Sequence, residues 1–421
     1  MRNWGFLVAI VLIGVSSAAR GDEWTMYQHD VAHTGRSTAS FDPRTITRSW
    51  SAPAGYATPL IVGGDVIAMR NQQGVGSDST SIRSFRLSDG AVNWTYTGKY
   101  IFPSQPSYAD GLVVYQAEEQ GTNAQKLFVL DAATGALKYT VASLSNIANA
   151  PTLYHNPSTG KLTAYVSNGG NVQAIQLDAT SGTVLWTKSG SIGGASIPTV
   201  AGSSVVLAGP GQYYSFDINT GASNHFQSGN ISGGGGTTVA YDPSRSQFYV
   251  MEDYNGATTA LTAYHYTSNS TITQVWQKTG AGVDSGASVA LGADGKIYSV
   301  DNSTLVERDP DTGNILRSLG GQTFANAVTP ALTDGYLWAF GQNDTYVYDL
   351  ASFTKVKTLP GSRGSLNSSY DAPGSFDDGH FLLDYGTIYN SPGFDVYVAA
   401  PEPGMGMLVL AGIVPLLRRR R

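Results

Sequence analysis

A short phrase that recurs along this chain of 421 residues restricts the possible folds more than any other feature. Each copy contains a β-prone run, a turn rich in Asp, Thr and Gly, and a second β-prone run. Asp accepts hydrogen bonds from its own turn and Gly adopts left-handed backbone angles, so each copy predicts a β-hairpin. The copies are SFRLSDGAVNW at 84–94, FVLDAATGALKY at 128–139, AIQLDATSGTVLW at 174–186, YSFDINTGA at 214–222, VERDPDTGNIL at 306–316 and VYDLASFTKV at 347–356.

A second marker gives the period of the repeat. In three copies an aromatic residue that ends the hairpin is followed twelve positions later by a proline, as in Trp94 with Pro106. The prolines at 59, 106, 151, 198, 330 and 373 leave one wide gap, between 198 and 330, which has room for two degenerate units beginning near 242 and 288. A period of about 45 residues is typical of one four-stranded propeller blade. The sequence therefore predicts an all-β fold, a β-propeller of about eight four-stranded blades.

The last repeat is too short to form a whole blade. Only about three strands fit between Pro373 and Ala400. Asp-Gly pairs at 110, 294, 334 and 378 are each followed by a β-prone run and predict one more turn in their units, the last of them in this short repeat. We expect residues 45–51 to add the missing strand, because Trp50 occupies the position that Trp94 has in its own unit. Such closure removes an exposed sheet edge. The repeated tryptophans are interpreted as structural, and the alternative is an aromatic platform for a cofactor or a sugar.

The composition excludes several classes of protein. Charged residues make up 13 % of the chain and the formal net charge is −6, so a broad nucleic-acid surface, which requires clustered Lys and Arg, is not expected. The chain has no Cys, which excludes disulfides and thiolate metal sites. Its stability must come from packing.

The first residues are typical of an exported protein. Arg2 precedes an apolar stretch at 6–15, and small residues at 17–19 suit a signal peptidase. We expect residues 1–19 to be a signal peptide that is cleaved after Ala19. Residues 20–44 then form a lead-in segment, and residues 45–400 form the propeller.

The last 21 residues contain a Pro-Glu-Pro-Gly linker at 401–404, an apolar run at 405–417 and four arginines at 418–421. This order resembles a PEP-CTERM sorting signal. The apolar run at 405–417 would be about 20 Å long as a helix, short of the ~30 Å hydrocarbon core, so membrane contact is expected only in transit. The resemblance implies removal of residues 401–421 by an exosortase and delivery to the cell surface or extracellular matrix of a Gram-negative-type bacterium, and we expect a monomer. The marker residues of the signal are Pro401, Glu402, Pro403, Arg418, Arg419, Arg420 and Arg421.

The repeats also resemble those of quinoprotein-type propellers. The likeness rests on FVLDAATGALKY, on AIQLDATSGTVLW and on a lead-in, WTMYQHDVAHTGRS at 24–37, and it covers about residues 24–400. It implies a quinoprotein alcohol dehydrogenase-like fold. Some members of the family are dehydrogenases that use pyrroloquinoline quinone (PQQ) with calcium, and others, such as the outer-membrane assembly scaffold, are not enzymes.

The enzymatic members require a tryptophan floor under the quinone, acidic and amide calcium ligands, an aspartate base and, in many cases, a disulfide between adjacent cysteines. The disulfide is impossible here, and no D-x-D-x-D-G calcium loop is present. The following carboxylates are interpreted as solvated loop acids: Glu118, Glu119, Asp284, Asp301 and Asp371.

One compact set of residues has the chemistry of metal ligands. His29, Asp30 and His33 could bind zinc if they converged with a further donor. We favour hydrogen-bonding histidines instead, because the lead-in of the family packs across the base of the ring. No catalytic residue and no cofactor is predicted.

These observations lead to one functional expectation and one alternative. We expect an exported, surface-sorted, non-catalytic propeller that serves as a binding or scaffold module for a polysaccharide or an envelope protein. The alternative is a PQQ-dependent dehydrogenase or a polysaccharide-acting enzyme. Exosortase and signal peptidase would be partners only during export.

Overall fold

The structure is a computed structural model that describes most of residues 23–400. The segments outside the description are 71–79, 99, 102–103, 120–121, 123, 143–148, 169–170, 190–195, 210–211, 228–237, 255–257, 269–270, 281–286, 302–303, 323, 325–328, 342–343, 361–373 and 385–392, together with 1–22 and 401–421. The described residues form eight antiparallel sheets, one for each blade. The predicted all-β propeller of about eight four-stranded blades is confirmed, with eight blades and one additional two-residue strand in the second of them.

The first strand of the chain, β1 (Thr47–Ser51), belongs to the last blade. Blade 1 contains β2 (Tyr56–Val62), β3 (Asp65–Arg70), β4 (Thr80–Arg86) and β5 (Val92–Gly98). Blade 2 contains β6 (Tyr100–Ile101), β7 (Ser107–Ala109), β8 (Leu112–Glu119), β9 (Ala124–Asp131) and β10 (Leu137–Ala142). Blade 3 contains β11 (Thr152–Asn156), β12 (Lys161–Asn168), β13 (Asn171–Leu177) and β14 (Gly182–Ser189).

The next blades repeat this order from an innermost to an outermost strand. Blade 4 contains β15 (Thr199–Ala201), β16 (Ser204–Gly209), β17 (Gln212–Asp217) and β18 (Ser223–Gln227). Blade 5 contains β19 (Ala240–Asp242), β20 (Gln247–Tyr254), β21 (Thr258–Ser268) and β22 (Thr271–Thr279). Blade 6 contains β23 (Ala290–Leu291), β24 (Ile297–Asp301), β25 (Thr304–Arg308) and β26 (Ile315–Leu319).

The last two blades complete the ring. Blade 7 contains β27 (Ala331–Thr333), β28 (Tyr336–Phe340), β29 (Asp344–Asp349) and β30 (Thr354–Pro360). Blade 8 contains β31 (Gly374–Asp377), β32 (His380–Asp384) and β33 (Phe394–Val398), with β1 as its outermost strand. The two degenerate units expected between Pro198 and Pro330 are blades 5 and 6.

The ring is closed by the N-terminal strand, as predicted. β1 pairs antiparallel with β33, and Thr47 lies opposite Val398 in this pairing. The pairing ties residues about 350 positions apart into one sheet, so that blade 8 has four strands like its neighbours. No edge of β33 is left exposed on that side.

The hydrophobic core is divided among the blade interfaces. Val205 and Leu207 of blade 4, for example, share one buried cluster with Tyr165 and Ala174 of blade 3. A cluster of this kind lies between each pair of neighbouring blades in the part of the chain that the structure describes. Each sheet therefore buries both of its faces against its neighbours, and the ring stabilises itself by repeating one interface.

A tryptophan on the outermost strand locks one blade to the next. The indole N–H donates to a carbonyl in the turn between the third and fourth strands of the following blade, and a glycine of that turn lies against the ring. The register of the outermost strand shifts beside each tryptophan, a β-bulge that re-aims the side chain. The bonds run from Trp50 to Leu87 (2.8 Å), Trp94 to Ala132 (2.8 Å), Trp186 to Ile218 (3.3 Å) and Trp276 to Pro310 (2.7 Å). The structural interpretation of these tryptophans is confirmed.

Hydroxyl groups join the innermost strands. The side chain of Ser107 donates to the carbonyl of Pro151 (2.6 Å), and Thr199 donates to that of Val239 (2.8 Å). Ser375 of blade 8 donates to the carbonyl of Pro59 in blade 1 (2.6 Å), across 316 positions of sequence. These buried bonds satisfy carbonyls near the axis and hold the blades at a fixed spacing.

Candidate functional site

The lead-in segment lies across the base of the ring, the face that carries the turn between the first and second strands of each blade. Its carbonyls accept backbone N–H groups from the innermost strands of six blades, which fixes the segment as a closure of that face. The acceptor and donor pairs are Trp24 with Ile61, Thr25 with Tyr108, Val31 with Val200, Ala32 with Tyr241, Thr34 with Leu291 and Gly35 with Leu332, at 2.8–3.2 Å.

A tight turn lets the segment follow the circle of blades. Gln28, His29 and His33 have positive φ angles of 50°, 80° and 53°. Gly35 has a φ of 63°, and a β-carbon there would stand 3.3 Å from the carbonyl oxygen of Pro330. Left-handed residues of this kind persist only where the surroundings over-determine them, and here the surroundings are the six blades.

Asp30 stabilises this turn. Its carboxylate accepts the backbone N–H groups of Ala32 (2.9 Å) and Thr34 (3.1 Å), as well as the Thr34 hydroxyl. Burial opposes ionisation of Asp30, but the nearby His29 and the hydrogen bonds from Thr34 prevail and hold the pKa of Asp30 below its ordinary value. Nδ1 of His29 lies 3.6 Å from this carboxylate.

His33 is a buried hydrogen-bonding residue. Its Nδ1 lies 3.0 Å from the hydroxyl oxygen of Thr199. Because that hydroxyl donates its proton to Val239, His33 donates through Nδ1–H to Thr199. Burial lowers the pKa of His33 to about 4, against a weaker effect of Asp30, so the ring is neutral at pH 7.

The three residues considered as metal ligands thus each have a place in the lead-in turn. Across the described part of the chain, no group of three or more His, Cys, Asp or Glu side chains is close enough together to hold a metal ion. Of the three, Asp30 and His33 form hydrogen bonds that hold the turn and the blades together.

Blades 6 and 7 are joined by an arginine where other blades use tryptophan. Arg317 donates through Nε to Glu307 (2.7 Å) and through both terminal nitrogens to the carbonyls of Leu350 and Ala351 (2.8 and 3.0 Å). Its guanidinium lies 4.5 Å from the ring centre of Phe353. The side chain of Glu307 is 2 % exposed and that of Arg317 is 31 % exposed, so the carboxylate of this ion pair is buried while its arginine still reaches water.

A lysine completes the buried charge cluster. Nζ of Lys296 lies 3.0 Å from Glu307 and 3.2 Å from Asp294. The bond to Glu307 is the main reason that the pKa of Lys296 is raised. This cluster was not predicted from the sequence. The available signal was Arg317 itself, which occupies the position in its repeat that Trp94 and Trp186 have in theirs.

Two clefts lined by described residues open at the base. One, of about 910 Å³, lies between blades 6 and 7, and the lead-in segment at Arg36 borders it. The other, of about 460 Å³, lies between blades 2 and 3, where Tyr139 donates its hydroxyl proton to the carbonyl of Asp178 (2.7 Å). A cleft of about 620 Å³ also lies between blades 5 and 6, which Trp276 joins.

The predicted loop acids do not form a common site. Glu118 accepts from Gln125 (3.0 Å), and Glu119 pairs with Lys126 (2.9 Å). The interpretation of Asp301 as a solvated loop acid is wrong, because it ends β24, is 9 % exposed and forms an ion pair with Arg308. The repeat gave no sign of that pair, since both residues lie in β-prone runs. The other two acids, Asp284 and Asp371, lie outside the described residues.

The residues present do not fit the quinone of the dehydrogenases. Of the seven tryptophans, six are described, and four of these dock neighbouring blades. The other two, Trp24 and Trp338, are buried in the cluster shared by blades 7 and 8. The seventh, Trp4, lies in the expected signal peptide. No tryptophan after residue 19 is therefore free to form a floor under the cofactor.

The groups that meet the lead-in segment at the axis are uncharged. Ala150 and Ile197, which precede the innermost strands of blades 3 and 4, pack on Tyr27. Thr329, at the same position in blade 7, accepts a hydrogen bond from the amide of Gln28 (3.1 Å). Within the described ranges, this arrangement offers neither the carboxylates of a calcium site nor a base.

Comparison with known proteins agrees with this architecture. The family model described as "Outer membrane protein assembly factor BamB" matches residues 81–319, from blade 1 to the outermost strand of blade 6, which is more than half of the chain. The chain belongs to this family. No curated protein sequence matches it significantly.

Solved structures similar to this BamB-family propeller include a BamB protein and two dehydrogenases. BamB from Moraxella catarrhalis is 14 % identical with a TM-score of 0.59, and the match covers 84 % of this chain and 100 % of that one. A europium-containing methanol dehydrogenase is 10 % identical, with a TM-score of 0.58 and coverage of 88 % and 90 %. Quinohemoprotein alcohol dehydrogenase from Comamonas testosteroni is 13 % identical, with a TM-score of 0.56 and coverage of 93 % and 83 %. These likenesses show the fold and leave the function to the residues.

The predicted processing sites lie outside the described residues. They are Ala19, Pro401, Glu402, Pro403, Arg418, Arg419, Arg420 and Arg421. Where the chain is described, no helix is long and apolar enough to cross a membrane.

Proposed function

We propose that this BamB-family protein is an exported, surface-sorted, non-catalytic propeller that binds an envelope or matrix component, either a polysaccharide or a protein. The proposal rests mainly on the packing of the tryptophans. Every tryptophan that the structure describes packs inside a blade or between two blades. The quinone of the related dehydrogenases needs one of them at the axis. A rigid ring with variable turns is left to act through its surface.

The family description supports the envelope as the place of action, since it names an outer-membrane protein assembly factor. The terminal sequences support export, with a signal peptide at 1–19 and a sorting signal at 401–421. We infer that signal peptidase and exosortase are transient partners, that the mature protein is a monomer, and that the propeller needs no cofactor. Because β33 ends at Val398, loss of the tail leaves the ring intact.

Two measurements test this function in the native bacterium. Mass spectrometry of the mature protein is expected to give an N-terminus at Arg20 and a C-terminus near Pro403. Cross-linking on intact cells is expected to join the protein to envelope polysaccharide or to an envelope protein. An intact Arg421 in surface or secreted material would refute the sorting signal, and a chain confined to the cytoplasm would refute export.

The non-catalytic part needs a separate experiment. Purified protein is mixed with PQQ and Ca²⁺, and alcohol-dependent reduction of an artificial electron acceptor is followed with a known quinoprotein dehydrogenase as the positive control. We expect no acceptor reduction and no stoichiometric quinone binding. Turnover above the protein-free rate would overturn the proposal in favour of a dehydrogenase.

A further inference from the structure

The cleft between blades 6 and 7 has the size of a ligand site. Its volume of about 910 Å³ falls in the range of pockets that hold small molecules. The inner wall is the lead-in segment, where Arg36 pairs in parallel with Leu332. The other walls are turns, at 292–296 in blade 6 and at 333–335 and 349–351 in blade 7. Backbone hydrogen bonds hold both the lead-in segment and these turns in place, so the cleft is preformed.

Most charges in the cleft are already neutralised. Lys296 and Arg317 share Glu307, as described above, and Lys296 also pairs with Asp294. The carboxylate of Asp349 accepts the backbone N–H and the hydroxyl of Ser352, both at 2.8 Å. These groups shape the walls and have little capacity left for a ligand.

Two further charged residues, Arg36 and Asp334, line the cleft. Among the described residues, no side-chain hydrogen bond or ion pair occupies the guanidinium of Arg36 or the carboxylate of Asp334. Arg36 and Asp334 do not form a salt bridge with each other, so their charged atoms are more than 4.0 Å apart. A donor-only group and an acceptor-only group thus stand separately in one cleft.

This pair selects the charge of the ligand. An anion that reached Arg36 would meet Asp334, and a cation that reached Asp334 would meet Arg36. A neutral molecule with hydroxyls on neighbouring carbons avoids both penalties, because one hydroxyl accepts from the guanidinium while the next donates to the carboxylate. The half-buried Leu350 and the exposed Ala293 supply apolar surface for the C–H face of a sugar ring.

We propose that this cleft binds sugar units of a neutral polysaccharide, with Arg36 and Asp334 as the residues that recognise its hydroxyls. The proposal rests on the binding function proposed above and gives it a site and a ligand class. It assigns no catalysis to the cleft.

Calorimetry with the purified protein tests the site. The probes are cellohexaose, maltohexaose and mannohexaose as neutral chains, hexagalacturonate as an acidic chain and hexalysine as a cation. We expect at least one neutral hexasaccharide to bind, and we expect Arg36→Gln and Asp334→Asn each to raise its Kd at least tenfold. Hexagalacturonate and hexalysine are expected to bind at least tenfold more weakly than that sugar.

Two matched variants control for nonspecific effects. Asp110→Asn makes the same change at the equivalent Asp-Gly turn of blade 2, where Asp110 faces the other base cleft and pairs with His155 (3.2 Å). Arg44→Gln removes an exposed arginine that pairs with Asp42. Both are expected to leave Kd unchanged, and melting temperatures of all four variants check that the fold is intact.

The outcomes separate this site from the proposed function. If the unmodified protein binds a neutral sugar but Arg36→Gln and Asp334→Asn do not weaken it, the site is wrong and the binding function stands. If no neutral hexasaccharide binds at millimolar concentration while cells still show envelope cross-links, the ligand class is wrong and the scaffold function stands. Tightest binding of hexagalacturonate or hexalysine would also overturn the assignment.

Discussion

Gly135 lies so close to the ring of Trp94 that a β-carbon on it would stand 2.4 Å from the indole Cε3 atom. Its φ of 71° is also in the left-handed region. The residue therefore serves two purposes at once: it turns the chain of blade 2 and receives the tryptophan of blade 1. The same contact between a turn glycine and the tryptophan of the preceding blade recurs at Gly90, Gly221 and Gly313.

The first prediction separates these two purposes. Gly135→Ala is expected to lower the free energy of unfolding by about 1 kcal/mol for the backbone and by a further 1–3 kcal/mol, roughly, for the clash. Gly160→Ala is the matched control, because Gly160 has a φ of 66° and no atom within 4 Å of its added β-carbon. Urea unfolding measures both. Equal losses in the two variants would mean that the indole contact is not needed.

A second prediction concerns Arg317. Its replacement by Met leaves Glu307 buried beside Lys296 alone, so we expect a loss of about 2–4 kcal/mol in unfolding free energy. Adding Glu307→Gln should recover part of this loss, because the uncompensated charge is then removed. Arg86→Met is the control, since Arg86 and Asp89 are exposed and a surface pair of this kind contributes about 0–1 kcal/mol. A loss of unfolding free energy in Arg317→Met no larger than that in Arg86→Met would contradict the prediction.

A third prediction follows from Glu252, which is 4 % exposed and accepts bonds from Thr262, Tyr264 and Gln277. Burial raises its pKa from 4.5 to about 7, despite these hydrogen bonds. Between these two pH values the unfolded chain is ionised and the folded chain is protonated, so stability falls as pH rises through this window.

The test of Glu252 is a comparison with Glu252→Gln across pH. The unfolding free energy of the unmodified protein minus that of the variant should fall by about 3 kcal/mol between pH 4.5 and pH 7 and stay level above that. Glu119→Gln, at an exposed salt bridge with Lys126, should not reproduce this slope. A difference that is constant over the window would contradict a raised pKa.

A fourth prediction concerns His33 and has the opposite sign. Its folded pKa of about 4 lies below the ordinary 6.5, so the unfolded chain binds more protons between these values. Stability that depends on neutral His33 is complete above pH 6.5 and is lost as pH falls to 4, by about 3 kcal/mol in all.

His33→Asn tests this dependence, because Asn tolerates a positive φ and its amide can donate to Thr199. The loss of stability between pH 6.5 and pH 4 should be smaller in the variant than in the unmodified protein. His155→Asn is the exposed control and should retain the full loss. Identical pH profiles for His33→Asn and the unmodified protein would show that His33 does not titrate as inferred.

The local chemistry of the repeat made most of the ring predictable. The turn of blade 2 could be placed because Asp131 accepts from Thr134 within the same turn (3.0 Å) and Gly135, four positions after Asp131, supplies a left-handed residue. Residues this close in sequence meet wherever the chain folds. The closing strand could also be placed, because Trp50 carries the mark of an outermost strand.

The local repeat pattern could not predict side-chain contacts between strands or between blades. Arg317 departs visibly from the tryptophan pattern, but its partners Glu307 and Lys296 lie in ordinary β-prone runs. Asp301 was misread for the same reason, since its pairing with Arg308 depends on which faces of two strands are covered. Burial by a neighbouring blade has no local signature in the chain.

The sequence by itself determined the number of blades, their hairpins and the strand that closes the ring, since these depend on turn residues and on a period that repeats about every 45 positions. Only the tertiary structure decided what lies at the base. It brought Arg36 of the lead-in segment and Asp334 of blade 7 into one cleft, although 298 positions separate them. The cleft lies between the turns of two packed blades and the lead-in segment, and a space enclosed by segments so far apart in sequence has no local pattern that predicts it.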